Sequence, residues 1–303
     1  MTLGPLLTLL LVLALAPALP GLATRTRALL TGRRGAPVLQ LYRDLAKLLR
    51  KNVVYSRTTT PVFRIGPIVV VATVLVAATL LPLDGHLALL SFSGDLVAFT
   101  GLLGLGRFAL VLAGLDTGSS FEGMGASREV TVSAFAEQAL FLCFTVLVLA
   151  TGDLSLVGML GERLAAVWTV AAPSLVLAAA ALFMLALAET SRVPVDDPAT
   201  HLELTMIHEV MVLDHSGPEL ALILYGNALK LALFGALVVG VLVPLALLPP
   251  LLAPLVLVGG LGVVAVSVGI VESSMARLRM NRVPQFLVAA SALAVFGVIL
   301  LLR

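Results

Sequence analysis

The sequence predicts an all-α integral membrane protein with about eight transmembrane helices, a basic amphipathic surface helix and a long acidic cytoplasmic loop. Three observations lead to the class. Of 303 residues, 60% are hydrophobic and only 12% are charged, against about 25% charged in an average soluble domain. Apolar runs of bilayer-spanning length, about 20 residues, recur along the whole chain. The runs are apolar on both faces, whereas a membrane barrel strand alternates polar and apolar positions. No long linker and no internal repeat divides the chain, so residues 1–303 read as one polytopic membrane domain.

The spans fall at approximately Leu3–Ala23, Ile65–Leu83, Leu96–Leu115, Val130–Thr151, Leu164–Ala188, Leu220–Leu247, Leu251–Val271 and Val283–Leu302. The first ends in small residues, as a signal peptide does. A signal peptide also needs a positive region before its apolar core, and here the positive charge follows instead. It reads as an uncleaved first helix. Arg107 interrupts the third span and Glu137 the fourth.

Charge predicts the orientation. Between the first two spans lie Arg25, Arg27, Arg33, Arg34, Arg43, Lys47, Arg50, Lys51, Arg57 and Arg64, opposed only by Asp44. Basic loops stay cytoplasmic. Residues of about 24–64, 189–219 and 272–282 are therefore expected inside, with the N-terminus and the C-terminus outside. The basic residues belong beside a membrane, and no nucleic-acid partner is expected.

Within that first loop, Leu41, Leu45, Leu48 and Leu49 follow helical spacing, with Arg43, Lys47 and Arg50 between them. This is an amphipathic helix at the membrane surface. It either rests on the anionic lipid bilayer or forms a docking face for a cytoplasmic subunit, and spacing alone favours lipid.

An ionisable group near the bilayer centre costs about 2.5–3.5 kcal/mol on insertion scales, so such groups face internal cavities and are functional candidates. Glu137 lies one third of the way along the fourth span, Arg107 within the third and Lys230 within the sixth. Glu189 ends the fifth and Glu272 the seventh. The plainer alternative is that these are ion pairs holding helices together, or interfacial ends. The stretch Glu189–Glu219 holds seven acids, Glu189, Asp196, Asp197, Glu203, Glu209, Asp214 and Glu219, against one base, Arg192. Crowded carboxylates raise one another's pKa, which suits proton relay. Its apolar residues argue against full solvation and predict a packed helix beginning after Pro198.

Cofactor chemistry is not expected in this chain. An iron–sulfur cluster usually takes about four thiolates, and Cys143 is the single cysteine. His201, His208 and His215 recur every seven residues, which on a helix is a rise of about 10.5 Å. Neighbours at that spacing cannot share one ion, so no metal site is expected. Gly101, Gly104 and Gly106 sit inside a span, where small residues favour close helix packing.

The residues also carry a resemblance. Glu189-Thr-Ser-Arg-Val-Pro-Val-Asp-Asp-Pro198 resembles the loop signature E-x-x-R-x-P-F-D-x-P-E-A-E-x-E-L of the complex I membrane subunit that builds the quinone chamber (the NADH dehydrogenase subunit 1 family). Glu189, Arg192, Pro194, Asp196, Pro198 and Glu203 match, whereas Val195 replaces phenylalanine, and Ala199 and His201 replace acids. The run from Pro198 to Glu209 is similar to the hydrogenase branch, which includes formate hydrogenlyase, hydrogenase-4 and energy-converting group 4 [NiFe] hydrogenases. Gly32–Lys51, Gly123–Glu129 with Glu137, Asp214-His-Ser-Gly217 (the family's E-Y-S-G) and Glu272–Pro284 resemble further family segments.

The resemblance implies a non-redox subunit of a prokaryotic inner-membrane oxidoreductase complex. Its partners would be a [NiFe] large-subunit-like protein, small iron–sulfur subunits and antiporter-like membrane subunits. The [NiFe] centre and the clusters would lie in those partners. Glu137, Glu189, Asp196, Glu203, Asp214 and Glu272 would carry a path for proton or sodium translocation, with Arg192 organising the loop carboxylates. Arg43, Lys47, Arg50 and Lys51 would dock the peripheral arm. The alternative is the quinone-site subunit of a complex I-like oxidoreductase, which the loss of acids at Ala199 and His201 disfavours. A stand-alone secondary transporter is a third reading, but the inverted repeats and paired broken helices common in transporters are not visible.

Overall fold

A computed structural model describes residues 3–196 and 206–303, and the described residues form twelve α-helices with two short 3-10 turns. In chain order these are α1 (Leu3–Leu15), α2 (Ala18–Leu30), α3 (Gln40–Leu48), α4 (Pro61–Leu80), α5 (Asp95–Asp116), α6 (Ser120–Thr151), α7 (Leu156–Leu160), α8 (Glu162–Glu189), α9 (His208–Met211), α10 (Gly217–Leu242), α11 (Ala253–Ser274) and α12 (Val283–Leu301). Seven are long and apolar enough to cross a membrane: α4, α5, α6, α8, α10, α11 and α12 with its leading turn. α1 and α2 make an eighth if the bent pair is one span. The chain is thus a multi-pass, all-helical membrane protein.

The bend between α1 and α2 is 45° and has an identifiable cause. Pro17 has no N–H to donate and its ring crowds the carbonyl four residues back. That carbonyl, on Leu13, accepts from the Tyr225 hydroxyl of α10 at 3.2 Å, and the next, on Ala14, accepts from the Tyr42 hydroxyl of α3. Backbone freed inside a membrane needs such partners. The kink is therefore also the point where α3 and α10 attach.

α10 is the central helix. Every residue from Ala228 to Val241 is buried, as expected of a helix that is apolar all round. α4, α8 and α11 pack against it, while α12 lies outside against α6 and α8. α4 and α5 form the closest pair. Gly106 allows this, because a Cβ there would sit 2.5 Å from Thr73 Oγ1. Asp116 at the end of α5 pins the start of α4 by accepting from the Thr60 backbone N–H (2.6 Å) and Thr60 Oγ1 (2.8 Å).

Side-chain contacts gather the loops onto two faces. On one, Val54 N–H donates to Ser216 Oγ (3.3 Å), Thr58 Oγ1 to Thr117 O (3.0 Å), and Leu278 N–H to Pro194 O (2.9 Å). On the other, Gly94 N–H donates to Leu154 O (3.1 Å), and His86 Nε2 lies 3.2 Å from Leu248 O. The basic first loop, the described parts of the acidic segment and the Met275–Arg282 connection share the first face.

Several boundaries differ from the sequence expectation. α6 begins at Ser120 rather than Val130 and runs 32 residues, because Ser120–Glu129 is helical although too polar for a hydropathy window. Glu137 therefore sits near the middle of its helix. The sixth span stops at Leu242, ahead of Pro244, since a proline disfavours helix in the residue before it. The helix expected after Pro198 starts outside the described residues, and the described part of that stretch contains only the single turn α9.

One test of the layout uses cysteine labelling, with background low because Cys143 is buried. Ser56→Cys and Leu213→Cys should label from one side of the membrane and Leu154→Cys from the other. Labelling of the first two from opposite sides would break the shared-face arrangement.

Candidate functional site

The polar residues placed in the membrane interior converge on Arg107. Arg107, on α5, is 6% exposed, and its guanidinium faces two carboxylates. Nη1 donates to Glu189 Oε1 at 2.8 Å and Nη2 to Glu137 Oε1 at 3.3 Å. Arg107 thus ties the end of α8 to the middle of α6. Charge-assisted bonds of this kind are the strong ones, and burial makes the carboxylates costly without their cation. The two partners differ. The Glu189 side chain is 4% exposed, that of Glu137 41%.

Space for this arrangement comes from a glycine. A Cβ on Gly104 would lie 3.0 Å from Glu137 Oε1. Beside it, a recess of about 170 Å³ is lined by Gly104, Arg107, Phe108, Val111, Val130, Ser133 and Glu137.

Two further charges join from neighbouring helices. Lys230 of α10, 6% exposed, is in electrostatic reach of Glu189, Arg107 and Glu129. Glu129 of α6 feels Arg107, Lys230, Glu189 and Asp196. Glu129 thus lies in the field of charges from both the membrane interior and the loops.

The loop end is built by a helix stop. α8 closes in a Schellman motif: Ser191 N–H donates to Ala188 O (3.2 Å) and Arg192 N–H to Leu187 O (2.8 Å). Ser191, with φ 53°, occupies the left-handed position usually given to glycine. The reversal turns Arg192 toward α11, where Nη1 pairs with Glu272 Oε1 at 3.1 Å. Glu189 and Glu272 are thus buried ion-pair partners and not solvated helix ends.

Asp196 fastens three segments. Oδ1 pairs with Arg277 (2.9 Å), and Oδ2 accepts from the backbone N–H groups of Ile207 and His208, both at 3.0 Å. Arg128 donates to Met206 O at 2.8 Å and so holds the same segment to α6. His208, in this crowded setting, is pushed below the usual imidazole range, chiefly by burial.

The remaining sequence candidates lie elsewhere. Asp214 is exposed, outside the Arg107 group, with its backbone N–H donating to Glu122 Oε1 at 3.1 Å. Glu203 lies outside the described residues. Arg43, Lys47, Arg50 and Lys51 are all exposed, and α3 turns Leu41, Leu45 and Leu48 toward the protein. Sequence reasoning missed Glu129, Glu122 and His215 as site residues. A signal existed for the acids: Glu122 and Glu129 are seven apart, close to one face of a helix, but only once α6 is extended to Ser120.

Fold and site together define a class, a polytopic helical membrane protein with buried ion pairs at mid-bundle and at one loop face. The chain belongs to the family whose model is described as NADH dehydrogenase, which matches residues 4–302. It is 35% identical to hydrogenase-4 component C of Escherichia coli (strain K12), over 77% of this chain and 73% of that protein. It is 32% identical to formate hydrogenlyase subunit 4 of the same organism, over 98% of both chains. A chain in the structure of the membrane-bound sulfane sulfur reductase, an archaeal respiratory membrane complex, shares the fold. Its TM-score is 0.84 at 21% identity, covering 99% of this chain and 98% of that one.

Proposed function

We propose that this protein is the membrane-anchor and ion-coupling subunit of a group 4 [NiFe]-hydrogenase-type complex in a prokaryotic inner membrane. The observation that carries the reading is Arg107, buried between Glu137 and Glu189. A structural ion pair alone would be closed off from its surroundings. This one keeps one carboxylate, Glu137, half exposed beside a recess on the outer face of the bundle. A neighbouring antiporter-like membrane subunit would cover that face and receive the charge.

Each residue then has a task. Asp196, held by Arg277, fixes the loop that meets the peripheral arm. Arg192 and Glu272 bind that loop to α11. A shift of the loop moves Glu189 with it and alters how strongly Arg107 is drawn away from Glu137. That changes the energy of a proton or sodium ion at Glu137. Redox chemistry is left to the partners, since the single thiol, Cys143, is buried. The family likeness to formate hydrogenlyase and hydrogenase-4 subunits favours a [NiFe] protein and iron–sulfur subunits as that arm. The cavity between α2, α3 and α10, lined in part by Arg192, Glu209 and Asn227, is about 120 Å³. Such a space suits a few ordered waters, and no step is assigned to a quinone.

The docking half is tested on α3. Arg43 and Lys47 face outward while Leu41, Leu45 and Leu48 are half-buried and Leu49, expected with them, is exposed, so the helix needs neither charge for its own packing. Reversing both charges (Arg43→Glu, Lys47→Glu) should release peripheral subunits into the soluble fraction, with this chain still inserted. A fully assembled complex carrying both reversals would return α3 to a lipid-binding role.

A further inference from the structure

A second group of ionisable side chains lies apart from Arg107, where the first loop meets the start of α10. His215 is 3% exposed. Its ring stacks on Phe63 of α4, centroids 3.9 Å apart and planes 10° off parallel. Nδ1 lies 3.3 Å from Glu219 Oε2. The other oxygen, Oε1, accepts from the Tyr55 hydroxyl at 2.7 Å. His215 Nε2 is buried and has no hydrogen-bond partner. His215 also lines a cleft of about 770 Å³, together with Lys51, Asn52, Tyr55, Phe63 and Asp214 among others.

These contacts favour one tautomer. A carboxylate beside Nδ1 favours a proton there, so in the neutral ring Nε2 carries a lone pair. A buried acceptor without a donor is costly; the His215 side chain is 0% exposed, so a water from the adjoining cleft supplies the donor only by entering the wall behind the ring. Burial is the main influence holding the imidazole below its usual range, with Glu219 and Asp214 pulling the other way. The charged and titratable groups around it are Glu219 on α10, Asp214 beside it, Tyr55 and Lys51 from the loop, Arg64 on α4 and Glu122 on α6. The guanidinium of Arg64 lies over the Tyr55 ring at 4.0 Å, and Glu122 accepts from the Asp214 backbone.

We propose that His215 is a proton-entry residue, taking a proton from cleft water on Nε2 and passing one from Nδ1 to Glu219. The step balances. An Nε2–H bond forms at the expense of an O–H bond of hydronium, which leaves as water, the Nδ1–H bond breaks, and an Oε2–H bond forms on Glu219. The ring stays neutral overall and ends as the opposite tautomer. Once Glu219 has given up its proton, a half-turn of the ring within its own plane brings the protonated nitrogen back to the carboxylate and resets it. Phe63 fixes the ring plane, and Tyr55 holds the receiving carboxylate, so the two are positioning residues. Nothing in the ion-coupling reading is needed for the transfer itself, although the use made of the proton rests on it.

The experiment uses the whole complex in lipid vesicles with ¹⁵N-labelled histidine. The chain has four histidines, and His215→Gln identifies the signal, since glutamine preserves size and polarity without titrating. At neutral pH the wild-type ring should carry its proton on Nδ1, with Nε2 bare, and should titrate at lower pH. In His215→Gln, redox-driven proton uptake should slow at least about tenfold, and imidazole added to His215→Ala should restore part of it. A ring protonated on Nε2 throughout, or wild-type uptake in assembled His215→Gln, would overturn the proposal. Where the variant fails to assemble, the wild-type spectrum alone decides the tautomer. Unchanged coupling in Glu137→Gln would sink the ion-coupling reading yet leave the His215 titration intact, so the two ideas fail separately.

Discussion

Glu137→Gln is expected to assemble normally and to lower the ions moved per electron several-fold, while electron transfer continues. Glutamine keeps the length and the hydrogen bond to Arg107 at 3.3 Å but cannot take or release a proton. The half-exposed side chain leaves room for the change, so little stability should be lost. The expected result also separates Glu137 from Asp196. Both oxygens of Asp196 are engaged, one by Arg277 and the other by two backbone N–H groups. Asp196→Asn weakens the charged bond and should loosen the loop under the peripheral arm, slowing electron transfer as well. Ion uptake per electron in sealed vesicles, with assembly followed by blue-native electrophoresis, distinguishes the two. An assembled Glu137→Gln complex with wild-type rate and stoichiometry would make this glutamate structural.

The sequence made the spans legible because hydropathy is a sum over many residues. It also exposed the isolated charges within them, since an arginine in α5 or a lysine in α10 stands out in an apolar run. Partner choice was not legible. Arg107 lies 82 residues from Glu189 and 30 from Glu137, and only the packing of α5, α6 and α8 brings them together. Polar helix was the other blind spot. Ser120–Glu129 looks like a loop by hydropathy, yet it is the first part of α6, bringing Glu129 into the field of Arg107 and Glu122 to the Asp214 backbone. The α1–α2 bend was implicit in Pro17, but that Tyr225 and Tyr42 would take the freed carbonyls depends on tertiary contacts. For His215 the sequence offers a seven-residue histidine spacing and a place in the Asp214–Gly217 family motif, neither of which points to a buried pair with Glu219. The stacking of His215 on Phe63, 152 positions earlier in the chain, has no local signature.

The largest stability effect is expected at Arg107. Methionine has similar bulk and no charge, so Arg107→Met leaves the packing volume of α5 nearly unchanged while stranding Glu189, whose side chain is 4% exposed. Breaking a buried pair on one side costs about 3–5 kcal/mol, because the remaining charge is uncompensated. Lys230 is within electrostatic reach of Glu189, which places the expectation toward the lower end of that range. Glu137 contributes less, since it retains access to the recess. The complex should therefore melt at lower temperature and accumulate to a smaller fraction of the wild-type amount. The double variant Arg107→Met with Glu189→Gln removes the stranded charge along with its partner. It should recover most of the lost stability, as neutral replacements of buried pairs often do, and remain uncoupled. That separation of assembly from coupling is the informative outcome. If Arg107→Met alone matched the wild type in melting temperature and abundance, the cation would not be holding α5, α6 and α8 together. The network would then have to be maintained by Lys230 and the backbone of the loop.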